Sequence, residues 1–274
     1  MTTTKHWTLD DIPWDRFDSA RVNADLLKVV KAASLVEYNA WDYSAYLCNV
    51  FSDDTVFQEK SREWAAEEVQ HGQALGRWAM LADPDFSFDD AVERFRSRYR
   101  IDLQANASAR GSRSGELIAR CMVETGTSSY YSALADAAEE PVLKAICQKI
   151  AADELRHYKL FYTYLKGYLE SENIGILQRL RIAFGRIAET EDDELACAYY
   201  AANAAVGDAY VHQHYSREYL SRAYSFYRQN HLDRAVAMIF KACGLRPQTP
   251  LFRVSQKAAW WVFTVRSRQL SKAA

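Results

Sequence analysis

Apolar side chains recur in alternating steps of three and four residues along four long segments of the chain, a spacing that places them on one face of an α-helix. The pattern predicts helices over Val22–Phe51, Thr55–Leu81, Gly115–Ala138 and Pro141–Leu169. Short polar connections at residues 52–54 and 139–141 join the first helix to the second and the third to the fourth. Because so short a connection returns the chain directly, each pair is expected to form an antiparallel hairpin.

The two predicted hairpins are separated by a long connection, residues 82–114, which contains a helical pattern near Phe88–Tyr99. This connection is long enough to cross the whole bundle. Two antiparallel hairpins joined by one long crossover resemble the connectivity of ferritin-like proteins. We therefore predict an all-α fold whose ferritin-like four-helix bundle spans residues 22–170.

The remaining residues are expected to pack on this bundle. Residues 1–21 carry Trp7, Trp14 and Phe17 and are predicted to lie over it as an N-terminal strap. After residue 171, further helical patterns cover residues 177–188, 194–227 and 232–243, and a turn at residues 246–250 precedes a last helix. Because no linker-like segment interrupts the chain, we predict a single domain over residues 1–274, with residues 171–274 as additional packed helices.

The composition favours helices and gives no sign of a nucleic-acid partner. Only 10 Gly and 5 Pro leave few positions for the turns that a multi-stranded sheet needs. The net charge of −2 provides no basic excess for binding nucleic acid.

Three features of the sequence predict a cytoplasmic protein. The N-terminal residues lack the apolar stretch of a secretory signal. No segment approaches the ~18 uninterrupted apolar residues of a spanning helix, so no transmembrane segment is expected. The 5 cysteines are scattered, with no Cys-x-x-Cys pair, as expected of reduced thiols.

Two Glu-x-x-His motifs carry the chemistry of the chain, each with a further glutamate about thirty residues upstream. All of these side chains fall on the apolar stripes and are therefore expected to face the core. An unpaired buried carboxylate costs several kcal/mol, so four of them require neutralising cations. Two ferrous ions supply that charge, and the pattern predicts a carboxylate-bridged di-iron centre. The predicted metal ligands are Glu37, Glu68, His71, Glu124, Glu154 and His157.

Each predicted ligand has an expected place in this centre. Glu68 and Glu154 would bridge the two irons, the upstream glutamates would bind one iron each, and each iron would take one histidine. Histidine ligands commonly donate their second ring nitrogen to a carboxylate. Glu67 and Asp153, which precede the bridging glutamates, are candidates for that contact, and the alternative is that both are exposed charges on their helices.

The stretches from Trp64 to Gly72 and from Ala145 to His157 resemble the two metal motifs of the soluble acyl-acyl-carrier-protein desaturases. Each motif of that family is an acidic pair followed by any residue, arginine and histidine. The second stretch fits this pattern in full, whereas the first has Gln70 in place of the arginine. The resemblance covers roughly residues 35–170.

The resemblance also singles out Thr127, three residues after Glu124. The desaturases carry a threonine there, beside the face that binds oxygen, which implies a catalytic hydroxyl. The alternative is a helix threonine whose hydroxyl bonds to a carbonyl one turn back.

The resemblance implies the O2-dependent oxidation of an unactivated C–H bond in an acyl or similar apolar substrate, by desaturation or hydroxylation. It implies two iron ions per chain, O2 as co-substrate and a ferredoxin-type electron donor. Whether the acyl group would be carried by an acyl carrier protein or by CoA is left open, because the chain is shorter than expected of plant-type enzymes. The oligomeric state is also left open, and a homodimer is one possibility.

Other di-iron proteins provide the alternatives. A rubrerythrin-type peroxidase would carry a Cys-x-x-Cys module, which this sequence lacks. A radical subunit of ribonucleotide reductase should have a tyrosine where this chain has Leu75. A bacterioferritin-like iron store uses the same ligands but needs only the bundle. Iron handling or peroxide reduction is therefore the second hypothesis.

The last predicted helix combines aromatic and basic residues. Trp260 and Trp261 precede Arg266 and Arg268. This pattern fits a helix at a membrane surface, a cap on the bundle or a dimer interface, and the sequence does not choose between them.

Overall fold

The computed structural model describes residues 6–189, 193–205 and 207–273, and these residues form helices without a strand. The all-α prediction is therefore confirmed. The first half contains α1 (Ala24–Tyr38), α2 (Ala40–Val50), α3 (Thr55–Ala82), α4 (Phe88–Arg98), α5 (Arg113–Ala137) and α6 (Pro141–Glu172). The second half contains α7 (Ile176–Ala188), α8 (Asp193–Asn203), α9 (His212–Ser225), α10 (Gln229–Ala242) and α11 (Pro250–Ala273).

The bundle consists of two helix pairs. In one, α1 and α2 pack along α3, and in the other α5 packs along α6. A contact between α3 and α6 joins the pairs, and the connection from residue 83 to residue 112 carries α4. The side-chain caps of Asp54 on α3 and Glu140 on α6 fix where the second helix of each pair begins.

The prediction of one helix over Val22–Phe51 is wrong, because the helix is interrupted at Asn39. The backbone N–H of Asn39 donates to the carbonyl of Val36, three residues back, at 3.1 Å. Its side-chain Oδ1 accepts a hydrogen bond from Arg96 on α4 at 3.3 Å. The interruption therefore comes from a tight local turn held by a distant side chain, and the apolar stripe continues through it undisturbed.

Residues 6–23 contain three short 3-10 turns that lie across α3 and α6, and the first five residues of the predicted strap are outside the described part of the chain. The indole of Trp14 donates to the Leu9 carbonyl at 2.7 Å, and Arg77 of α3 lies 4.2 Å from its ring centre. The backbone N–H of Asp18 donates to the Glu140 carboxylate at 3.2 Å. These contacts tie the strap to both helix pairs.

Four of the helices after residue 171 contact the bundle, since α8 and α9 pack on α1 and α7 and α10 pack on α5. Helix α11 packs on α9 and α10. The prediction of one helix over residues 194–227 is wrong, because α8 ends at Asn203 and α9 begins at His212. Gly207, between them, has φ of 95°, which a helix does not allow. Residue 206 lies outside the described residues. That residues 1–274 form a single domain stays a prediction.

Two apolar clusters fill the core. One contains Val30, Trp78 and Tyr131, and the other contains Phe57 and Phe161. The predicted metal ligands lie between these clusters along every bundle helix that carries one. Among the described residues, no helix is both long enough and apolar enough to pass through a bilayer.

Candidate metal centre

The structure brings all six predicted ligands together, and all six side chains are buried. They form two overlapping groups, in each of which the ligand atoms lie within 4.8 Å of one another. Glu37 and His71 belong to the first group, Glu124 and His157 belong to the second, and both groups contain Glu68 and Glu154. This sharing is what two neighbouring cations bridged by two carboxylates require.

Glu68 lies between the two histidines and turns one oxygen toward each. Its Oε2 is 3.2 Å from Nδ1 of His71, and its Oε1 is 2.9 Å from Nδ1 of His157. Glu154 does the same at longer range, with Oε1 3.4 Å from His71 Nδ1 and Oε2 4.0 Å from His157 Nδ1. The geometry therefore supports the two glutamates of the motifs, rather than the upstream pair, as bridging ligands.

The outer ring nitrogens of the two histidines face the two carboxylates that precede the bridging glutamates. Nε2 of His71 lies 3.0 Å from Asp153 Oδ2, and Nε2 of His157 lies 2.7 Å from Glu67 Oε2. Each contact crosses from α3 to α6, so each motif supplies the partner for the histidine of the other. A carboxylate on Nε2 favours the tautomer that leaves Nδ1 free to bind a metal.

Arg156 joins the two outer carboxylates. Its guanidinium donates to Glu67 at 2.7 Å and to Asp153 at 2.6 Å. The arginine of the motif therefore neutralises the charges that orient both histidines. Sequence reasoning identified the arginine as part of a motif but gave no reason for it.

The N-terminal strap covers His71. The indole Nε1 of Trp7 donates to Asp153 Oδ2 at 2.6 Å, and the indole plane stacks on the His71 ring at a centroid distance of 5.8 Å. His6 Nε2 lies 2.9 Å from the same carboxylate oxygen. Gln70, which stands where the family motif has arginine, donates to the Trp7 carbonyl at 2.9 Å. The sequence offered no signal for these contacts beyond the aromatic content of the strap.

Two hydroxyl groups contact the ligand carboxylates. Tyr131 donates to Glu37 Oε1 at 2.5 Å, a contact that sequence reasoning missed because Tyr131 sits on an apolar stripe. Thr127 Oγ1 lies 2.6 Å from Glu154 Oε2, and 3.2 Å and 3.3 Å from the carbonyls of Val123 and Glu124. A hydroxyl has one proton to donate, and the shortest of the three contacts is to Glu154.

Several buried polar atoms of the site lack a hydrogen-bond partner among the described residues. They are both carboxylate oxygens of Glu124, Oε1 of Glu154 and Nδ1 of His157, which is near Glu68 but not in hydrogen-bond geometry. Buried carboxylate oxygens without a partner are costly, and cations would satisfy them. A shell of carboxylates with one imidazole per cation suits iron or manganese better than a thiolate-seeking metal. The residues therefore fit two iron ions.

Burial and charge shift the pKa values of these groups. Burial raises the pKa of Glu37 and Glu124, and the neighbouring carboxylates Glu68 and Glu154, respectively, raise it further. Burial opposes the charge on His157, but Glu68 and Glu67 outweigh it and raise the pKa of His157 to about 9. Protons therefore supply positive charge that bound cations would replace.

A close approach of two helix backbones sets the position of the first ligand group. A Cβ atom at Gly72 of α3 would lie 2.6 Å from the backbone nitrogen of Tyr38 and 2.8 Å from the Ser34 carbonyl oxygen of α1. Only glycine fits this contact. Because Gly72 follows His71 and Tyr38 follows Glu37, the contact holds these two ligands in register.

A cavity leads away from the carboxylates. Its narrow part, about 70 Å³, reaches Glu68, Glu124 and Glu154, and the buried guanidinium of Arg120 also lines it. The narrow part shares Thr127 with a larger part of about 320 Å³. The larger part is walled mainly by apolar and aromatic side chains, among them Met122, Tyr130, Leu220, Tyr224, Tyr227 and Phe263. All four of the predicted ligand carboxylates line the narrow part, whereas the larger part is lined by residues further from them.

The chain matches the model of a known protein family. The model of the family described as fatty acid desaturase matches residues 35–182, which is more than half of the chain of 274 residues and includes all six predicted ligands and Thr127. None of the curated proteins matches the chain.

Proposed function

Because this chain belongs to the fatty acid desaturase family, we propose that it is a di-iron oxidoreductase that uses O2 to oxidise an unactivated C–H bond of an acyl or similarly apolar substrate. The observation that carries the proposal is the pair of overlapping ligand groups that share Glu68 and Glu154. Two ferrous ions held by these residues would supply the two electrons that reductive activation of O2 requires. Desaturation and hydroxylation are both within this chemistry.

The side chains around the proposed centre would orient the two histidines, exclude bulk water and position the substrate. Asp153 and Glu67 fix the ring orientation of His71 and His157 through their Nε2 atoms. The apolar clusters on either side of the ligands keep bulk water from the centre, which strengthens every electrostatic contact within it. The cavity would place a carbon chain beside the same carboxylates.

We assign Thr127 the movement of a proton at its Oγ1 atom. The hydroxyl lies at the junction of the two parts of the cavity and contacts Glu154 at 2.6 Å. From there the hydroxyl can relay a proton between the Glu154 carboxyl group and a molecule in the cavity, receiving one proton as it gives up another. The contacts of the Thr127 hydroxyl with the carbonyls of Val123 and Glu124 are longer, and are therefore weaker hydrogen bonds than its contact with Glu154.

Iron handling or peroxide reduction is the second candidate. Either would use the same six ligands. The cavity of about 320 Å³ with its mainly apolar wall favours oxidation of an organic substrate, since a store of iron or a reductant of peroxide has no use for such a cavity.

The proposed partners are those that the resemblance to the desaturases implies. Electrons must be delivered to the centre, and a ferredoxin-type protein in the cytoplasm is the proposed donor. The acyl substrate is proposed to arrive on an acyl carrier protein or on CoA.

Product analysis tests the proposal. Protein loaded anaerobically with iron and reduced by two electrons per centre is mixed with O2, with and without long-chain acyl thioesters. We expect O2 consumption to couple to an oxidised acyl product, identified by mass spectrometry. Rapid and complete O2 consumption without organic substrate, with ferric mineral accumulating, would favour iron storage instead.

A further inference from the structure

Helix α11 has two apolar faces, and the residues that the structure describes cover only one of them. On the covered face, Phe263 packs against the rings of Tyr224 and Tyr227 at centroid distances of 4.6 Å and 5.2 Å. Phe252 packs against Phe240 of α10 at 5.3 Å. These contacts hold the helix on α9 and α10.

The opposite face exposes large apolar side chains. Leu251, Val254, Trp261 and Val262 are 58%, 63%, 68% and 57% exposed. At about 100° of rotation per residue, these four positions fall within an arc of about 100°. Single exposed apolar residues are ordinary, but a contiguous row of them marks a surface that binds something.

The charge of the helix is of one sign. It contains no acidic residue and carries the basic residues Arg253, Lys257, Arg266, Arg268 and Lys272. Because the whole chain has a net charge of −2, removing these five positive charges leaves −7 on the remainder. Positive charge is therefore concentrated on the helix that also exposes the apolar row.

We propose that this face of α11 binds the surface of an anionic lipid bilayer. Basic residues beside an apolar row are the arrangement by which a helix lies in the plane of a membrane interface. The charges would meet anionic headgroups, and Trp261 would sit at headgroup level, where indole rings are favoured. The basic side chains can extend along the helix toward the headgroups while the row enters the lipid.

A second copy of the chain fits this face less well. In a two-fold contact each helix would meet the same patch of its partner, so the basic residues of both copies would be brought together without an acidic residue of α11 to pair with. An anionic bilayer has the opposite charge at every position. The charge pattern therefore selects the lipid surface.

The position of α11 would bring the cavity close to the membrane surface. Phe263, on its covered face, forms part of the wall of the larger part of the cavity, which shares Thr127 with the narrow part at the ligand carboxylates. One helix therefore separates the proposed lipid contact from the interior cavity. A lipophilic substrate or product would have a short path between the two.

Vesicle co-sedimentation tests the proposal with the purified full chain. We expect the protein to sediment with vesicles of phosphatidylcholine and phosphatidylserine, and to bind at least about tenfold more weakly to phosphatidylcholine alone. High salt should weaken the binding. No binding to the anionic vesicles would overturn the proposal.

Matched variants identify the surface. Val254→Glu combined with Trp261→Glu should reduce vesicle binding at least about tenfold, with Tm and iron content unchanged because both side chains are exposed. Val56→Glu is the control, since Val56 is 61% exposed on α3, away from the helix. Equal loss in the control, or no loss in the double variant, would overturn the assignment.

The other occupants give different results. If the double variant converts a dimer into a monomer in sedimentation velocity while vesicles are not bound, the face is a contact between copies. If an acidic carrier protein is retained and vesicles are not, the face is a protein docking site. Either result would overturn the membrane proposal, and neither would affect the proposed metal centre.

Discussion

The two histidines of the centre depend on side chains from the opposite helix. Asp153 of α6 orients His71 of α3, and Glu67 of α3 orients His157 of α6. The sequence predicted these carboxylates as partners but did not predict the exchange between helices. Which carboxylate meets which histidine depends on how α3 and α6 pack and on where their side chains point. The periodicity of a single helix carries no information about this.

Replacing Asp153 tests this orientation. Asp153→Asn keeps the size of the side chain but removes the negative charge that faces Nε2 of His71. We expect the affinity of the first ligand group for iron to fall about 10–100-fold, measured by anaerobic titration. The matched control is Asp136→Asn, since Asp136 lies 3.0 Å from Nε2 of His231 in a similar pair outside the centre. Equal iron binding by the Asp153 variant and the wild type would contradict the assignment.

Two threonines on α5 allow a test of the proposed proton movement. Thr127→Val should reduce product formation per O2 consumed, and Thr127→Ser should restore it. Thr125→Val is the control, because Thr125 is buried on the same helix and its hydroxyl bonds to the Cys121 carbonyl, at 2.7 Å, and not to a predicted ligand among the described residues. An unchanged coupling ratio in Thr127→Val would remove the role.

Iron binding should depend on pH through the histidines. The pKa of His157 is about 9 without metal, so at neutral pH a cation must displace its proton. The affinity should therefore rise with pH up to about 9, by at most about tenfold per unit for each proton displaced. Titrations at several pH values check this, and an affinity that is flat between pH 6 and 8 would contradict it.

At the scale of helices, Gly72 controls how closely α1 and α3 approach. Gly72→Ala would place Cβ 2.6 Å from the Tyr38 nitrogen, so the helices must separate. We expect a loss of about 1–3 kcal/mol in the free energy of unfolding, measured in urea, with weaker iron binding. Gly167→Ala is the control, because a Cβ there meets nothing within 4 Å and should stabilise α6 by about 0.5–1 kcal/mol. Equal effects of the two variants would contradict the close contact.

The helical period predicted the bundle helices and the residues between its apolar clusters, because both depend on spacing along one helix. It did not predict the interruption at Asn39 or the separation of α8 from α9. The first is held by Arg96 from another helix, and the second passes through Gly207 with a left-handed backbone. Both depend on contacts or conformations that leave the apolar pattern unchanged.

At the scale of the whole molecule, the structure places a highly charged interior between two apolar clusters. The four buried ligand carboxylates oppose folding unless protons or cations offset them. The strap adds to this arrangement, since Trp7 contacts both Asp153 and His71. The sequence showed that the strap is aromatic but contained no sign of where its rings lie.

Metal removal should therefore lower the stability of the whole fold. We expect the iron-loaded protein to have a higher Tm than the chelated protein, with the difference growing with the concentration of free ferrous iron. Differential scanning calorimetry under anaerobic conditions measures this. Glu124→Gln should reduce the difference, and a Tm independent of iron would contradict the ligand assignment.

The stoichiometry of iron binding tests the central claim most directly. Protein loaded with ferrous iron without oxygen and freed of excess metal should retain about two irons per chain, as two ligand groups sharing two carboxylates require. Glu154→Ala should retain markedly less, because Glu154 belongs to both groups. A wild-type protein that holds clearly fewer than about two irons, together with a Glu154→Ala variant that holds as much as the wild type, would contradict the account.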